Sequence, residues 1–175
     1  MRLVLPLALL AFPAFGQTAE PSSTAATYGN WTVNCVQADQ GKTCQMVTRL
    51  NLKGNDGQLR PLLELAIGRP PAGGDLRIVM QVPMDVALRE PFSLAAGQGP
   101  EAADQAPLLE ASFFACLPSG CIADAVLEGA ALKALRGASH ATIGFTVLNG
   151  NKKFGVPVAL DGFADAFAAL GEAAE

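Results

Sequence analysis

The chain has one histidine, one tryptophan and one tyrosine in 175 residues, and 12 Lys and Arg against 16 Asp and Glu. Each scarcity closes off a class of chemistry. One imidazole leaves a zinc hydrolase short of nitrogen or thiolate ligands. A histidine-based triad needs a nucleophile and an orienting carboxylate as well, and no G-x-S-x-G elbow is present. A formal charge of −4, with Lys152-Lys153 the only basic doublet, lacks the clustered cations that follow a phosphate backbone, so nucleic acid is excluded as a partner. There is no G-x-x-x-x-G-K-[ST] loop for nucleotide phosphates. C-x-x-C spacing is absent, which argues against thiol-redox and zinc use of the cysteines. No repeat recurs at a fixed period. Beyond the N-terminus no apolar run approaches the roughly 18 residues of a membrane span.

What the chain does have is four cysteines, Cys35, Cys44, Cys116 and Cys121, behind a secretory leader. Met1-Arg2 is basic, and Leu3 to Phe15 is apolar apart from Pro6 and Pro13. Ala14 and Gly16 stand at the −3 and −1 positions of a cleavage before Gln17. This is the pattern of a signal peptide over residues 1–16. No cysteine lies near the cleavage point to carry a lipid anchor. The mature chain is expected to be periplasmic or secreted, where disulfides persist. Loss of Arg2 takes its formal charge from −4 to −5. About 150 residues remain, one domain by length, with room for a hydrophobic core that disulfides would staple.

Residues 17–27, rich in Ala, Ser, Thr and Pro, lack periodicity and read as a disordered lead-in to a domain over 28–171. Short alternating runs follow. Trp31, Val33 and Cys35 share one strand face, and Cys44 and Met46 repeat the phase. Leu63, Leu65 and Ile67 alternate next, then Leu76, Ile78, Met80 and Val82. Asn55-Asp56-Gly57 and Arg69 to Asp75 are turns. Val86 to Leu94 reads as extended. Ala95 to Pro107 is rich in Gly, Ala and Pro and is expected to be a mobile surface loop. Glu128 to Arg136 suits one or two helical turns, ended by Gly137. Asn149-Gly150 reads as a two-residue hairpin turn between Thr142–Leu148 and Lys153–Val158. Phe163, Phe167 and Leu170 at i, i+4 and i+7 mark a short amphipathic C-terminal helix. Many short strands separated by turns predict an all-β sandwich or barrel.

Four cysteines allow three connectivities, and sequence alone does not choose among them. Short loops make the local pairs, Cys35 with Cys44 and Cys116 with Cys121, the cheapest to close, at roughly 2–3 kcal/mol of stabilisation each. Several segments together resemble the invasion-associated locus B family of exported bacterial proteins. They are Tyr28-Gly29-Asn30-Trp31-Thr32-Val33-Asn34-Cys35, Cys44-Gln45-Met46, Val82-Pro83-Met84-Asp85-Val86-Ala87-Leu88, the Cys116–Cys121 pair, and Leu160-Asp161-Gly162-Phe163-Ala164-Asp165-Ala166. Asp85 and Pro91 stand where similar sequences carry Gly. The resemblance implies an immunoglobulin-like β-sandwich in the periplasm or beyond. The family name comes from a role in entry into host red cells. It implies no catalytic residues, no cofactor and no metal.

Individual residues support the same reading. His140 opens a strand after a turn and reads as a surface residue. Asp161 and Asp165, at i and i+4, could pair on a helix face, but Asp161 suits a helix cap better. Asn55-Asp56-Gly57 lacks the ordered oxygen ligands of a calcium loop. Trp31, Met46, Met80 and Met84 read as core. Phe113-Phe114 in a strand sends its rings to opposite faces, so Phe114 is either covered by a loop or helix or forms an exposed contact point. Two functions follow. One is a non-catalytic protein-binding or adaptor domain of the envelope, with an envelope or host protein as partner and a role in host-cell interaction. The other is a periplasmic enzyme using dispersed carboxylates and His140.

Overall fold

A computed structural model describes residues 23–38, 41–98 and 106–173. The leader over 1–16, residues 17–22, and residues 99–105 of the Ala95–Pro107 connection lie outside them. Among the described residues ten strands and two helices follow in order: β1 (Ser23–Tyr28), β2 (Trp31–Ala38), β3 (Gly41–Lys53), β4 (Leu59–Gly68), β5 (Arg77–Val82), β6 (Phe92–Ala96), β7 (Leu109–Leu117), β8 (Gly120–Val126), α1 (Gly129–Gly137), β9 (His140–Val147), β10 (Lys152–Ala159) and α2 (Phe163–Ala173).

All strand pairs are antiparallel, and the order across the sheet is β1-β2-β3-β4-β5-β8-β7-β6-β9-β10. Strand β9 returns through α1 to lie beside β6, which gives the Greek-key order β9-β6-β7-β8. The sheet curls so that both halves contribute to one core, an immunoglobulin-like β-sandwich. Period-two alternation decides which residues enter it. Trp31, Val33 and Cys35 are buried, as are Leu63, Leu65 and Ile67, and Ile78, Met80 and Val82. Phe92, Leu94, Ile143 and Val158 face them from the other half.

The two ends of the chain interlock. The Asn30 N–H donates to the Asp161 carbonyl at 3.1 Å, and Trp31 Nε1 donates to the Ala159 carbonyl at 3.3 Å. The Trp31 ring meets Phe163 edge-on with centroids 5.1 Å apart. Gly29 and Gly162 both have positive φ, at 53° and 77°. A Cβ on Gly162 would run into the Tyr28 carbonyl, and one on Gly29 would fall 2.6 Å from the Asp161 carbonyl oxygen. The opening and closing segments of the chain are therefore two halves of one clasp.

Cys35 is bonded to Cys44, its direct partner across β2 and β3, and Cys116 to Cys121 across β7 and β8. Helix α1 runs over Gly129–Gly137 with Glu128 as its N-cap residue, and α2 docks through Phe163, Ala166 and Leu170, all buried.

Several expectations need correction. Residues 23–27 are strand rather than a disordered lead-in. They pair with Thr32–Val36, and the Thr27 and Thr32 hydroxyls lie 3.3 Å apart. Because β1 is exposed along nearly all its length, it needs no apolar alternation. Met84 is 59% exposed, since β5 ends at Val82 and Pro83 breaks the alternation. The Val86–Leu94 run is interrupted: Val86 bridges Val147, the Glu90 N–H turns back to the Ala87 carbonyl at 3.0 Å, and extended structure resumes at Phe92. Ala95 and Ala96 belong to β6. The β9–β10 connection is longer than two residues: Lys152 pairs with Val147, leaving Leu148–Asn151 as the loop. Asp161 does not cap α2: the Gly162 carbonyl accepts the Ala166 N–H, which places Gly162 at the cap. Phe167 is half-buried, not core, and carries Arg136 over its ring at 5.5 Å.

Candidate functional site

Sheet edges differ in how they meet solvent. Strand β10 carries Lys152, Lys153 and Pro157, residues that discourage further pairing. Strand β7 differs. Leu109–Ala111 pair with β6, but from Ser112 to Leu117 the strand pairs only with β8, so its other side is open among the described residues. Phe113 pairs with Ala123 and Ala115 with Ile122, which leaves Phe114 as the extra residue of a bulge. Phe113 turns inward, its ring 5.2 Å from that of Phe92. Phe114 is 64% exposed, and Leu117 is 48% exposed near the hairpin turn. Of the two outcomes for the Phe-Phe doublet, the structure shows Phe114 exposed rather than covered.

A groove of about 590 Å³ lies at the turn between β7 and β8, on the β5 side of the hairpin. Beyond a bulge at Leu50/Asn51, β3 and β4 leave the core as an arm, with Leu52 and Leu59 exposed. The groove lies between that arm, Gln81–Met84 and the turn Pro118–Gly120. Leu63 and Val82 supply buried floor, and Met84 stands exposed in its lining. Gln81 Nε2 donates to the Ser119 carbonyl at 2.9 Å, tying the turn to β5. Arg49 grips Glu64 with two bonds of 2.7 and 3.2 Å in the wall. Alternation alone puts Met84 in the core and hides this groove from the sequence. The Pro83 beside it was the available signal.

His140 opens β9, half-buried, with Nδ1 3.2 Å from Ser139 Oγ. It lines a cavity with Asn30, Thr48, Arg49, Gln98 and Pro157, and among the described residues no carboxylate shares that lining. Asp161 and Asp165 are exposed on α2 and its approach and do not line this cavity. The structure therefore does not bring His140 and these carboxylates together. Among the described residues no three His, Cys, Asp or Glu side chains converge as a metal-binding group, and no helix is long and apolar enough to cross a membrane.

Comparison with known proteins gives a consistent picture. The chain is 28% identical over 154 residues to invasion protein B of Bartonella bacilliformis, covering 85% of this chain and 75% of that protein. It is 26% identical over 142 residues to an invasion protein B homolog of Brucella abortus, covering 81% and 76% respectively. Its fold matches the crystal structure of invasion associated protein B from Bartonella henselae with a TM-score of 0.67 at 24% identity, over 85% of this chain and 96% of that one. The model of the invasion associated locus B (IalB) protein family matches residues 31–171, and the chain belongs to that family.

Proposed function

We propose that the chain is an exported, non-catalytic protein-binding domain, acting in the periplasm or outside the cell, with a role in host-cell interaction. Its contact surface is the open edge of β7. One observation carries this reading: Phe114 is 64% exposed on a bulge, in a strand that from Ser112 to Leu117 pairs with a strand on one side only among the described residues. An extended partner segment could add to such an edge through main-chain hydrogen bonds, with side-chain pockets giving specificity. The bulge limits indiscriminate pairing at the same place. The names of the Bartonella and Brucella relatives support the host-cell part of the reading.

Export is tested by mass. The secreted or periplasmic protein should begin near Gln17 and expose no free thiol before reduction, given the bonded pairs Cys35–Cys44 and Cys116–Cys121. Two reactive thiols in the unreduced protein would overturn the two-bridge state, and an intact leader would overturn cleavage.

Binding is tested by placing a photocrosslinking residue at position 114 in intact cells, with one at Arg60 as control. A discrete adduct is expected from position 114 only. Phe114→Ala should weaken affinity for the captured protein by about tenfold or more. Its stability should change by no more than about 0.5 kcal/mol. His140→Ala should leave capture intact. Equal adducts from both positions would remove the edge from the proposal. A His140→Ala protein that folds but loses a measurable turnover would favour the enzyme reading.

A further inference from the structure

The outward face of the other half of the sandwich holds a separate polar hollow. Strand register sets four residues side by side: Glu110 opposite Ser93, Ser93 opposite Gly144, and Gly144 opposite Gly155. Thr146 and Lys153 are paired in the next outward row. Alternation puts these residues outside, because Phe92, Leu94, Ile143, Phe145 and Val156 on the same strands form the core. The two glycines leave the middle of the row without side chains. The result is a depression of about 270 Å³, which Glu90 and Pro91 also line.

Three features set the hollow apart from ordinary polar surface. A Cβ on Gly144 would strike Ser93 Oγ, so the serine hydroxyl lies over the glycine floor. Thr146 is only 6% exposed, yet it lines the hollow, and its hydroxyl has no hydrogen-bond partner among the described residues. Glu90, Glu110 and Lys153 line it without forming an ion pair with one another or with other described residues. Two acceptors, one cationic donor and two hydroxyls thus surround a flat floor with their hydrogen-bonding capacity unspent.

We propose that this hollow binds one saccharide residue of a glycan. Vicinal hydroxyls of a sugar ring can donate to a carboxylate and accept from an ammonium group at once, and hydrogen bonds to ionised partners are the stronger kind. The C–H face of the ring suits the glycine backbone and the Pro91 ring. A free anion is repelled by two carboxylates, and a small cation meets Lys153. The volume is below that of a drug-sized pocket, which suits a single ring. The shallow position predicts weak binding, in the millimolar range for one sugar, strengthened by multivalent display.

The test uses the full mature chain on a printed array of bacterial and mammalian glycans, followed by NMR titration with the methyl glycoside of the terminal sugar that the bound glycans share. Expected are saturable amide shifts at Ser93, Glu110, Gly144 and Thr146. Gly155→Leu should fill the hollow and abolish them. Gly155 is exposed on an edge strand and is not among the positive-φ glycines, so its φ allows a side chain. Should that variant fail to fold, Glu110→Gln should still weaken glycoside binding tenfold or more at unchanged thermal stability. No glycan bound, shifts at other residues, or saturable shifts with methylammonium alone would each overturn the proposal.

Discussion

Gly162→Ala should lower stability by about 3 kcal/mol or more, read as a shift of the urea midpoint. The left-handed conformation alone, at φ 77°, costs an alanine roughly 1–2 kcal/mol. The larger part is steric. The new Cβ would meet the Tyr28 carbonyl and come within 2.7 Å of Gly29 N, and both obstacles are backbone. Relief requires the β1–β2 turn and the start of α2 to separate. That motion stretches the hydrogen bond from Asn30 N to the Asp161 carbonyl and pulls Phe163 away from Trp31. Gly171→Ala in the same helix is the control. A Cβ there meets nothing within 4 Å, so alanine should be neutral or add about 0.5–1 kcal/mol through helix propensity. Equal midpoints for Gly162→Ala and the parent would show that the clasp yields without cost.

Legibility in the sequence followed burial. Strands with one face in the core announced themselves by alternation, as Leu63-Leu65-Ile67 and Ile78-Met80-Val82 show. Strand β1 did not, because an exposed edge strand of Ser, Thr and Ala has no buried face to imprint a pattern. The Phe113-Phe114 doublet stated a choice that sequence could not make. The bulge made it, by giving β7 one residue more than β8 opposite. The family-like segments at the two ends could be recognised separately, but their contact depends on the curl that brings the end of β10 to β2. The hollow was out of reach for a related reason. Its row joins β7, β6, β9 and β10, and the Greek-key return of β9 fixes that neighbourhood only in three dimensions.

Trp31→Ala should be the most costly of the core truncations, at about 3–5 kcal/mol. The side chain is 1% exposed and among the largest fully buried in the chain. Its removal would leave a cavity between the sheet and α2 and strip the Ala159 carbonyl of a donor at 3.3 Å. It would also remove the edge-on contact with Phe163, a type of pair worth about 0.5–1.5 kcal/mol beyond area. A double-mutant cycle with Phe163→Ala isolates that last contribution: the two losses should add to more than the double variant shows, by about that amount. Phe167→Ala provides the contrast. Its ring is half-buried, so its loss should fall below that of Phe163→Ala, whose side chain is 1% exposed. If Phe167→Ala proved the more damaging of the two, α2 would be held chiefly by its outer face, with Arg136 over Phe167, and the interlock of the chain ends through Trp31 would be the lesser restraint.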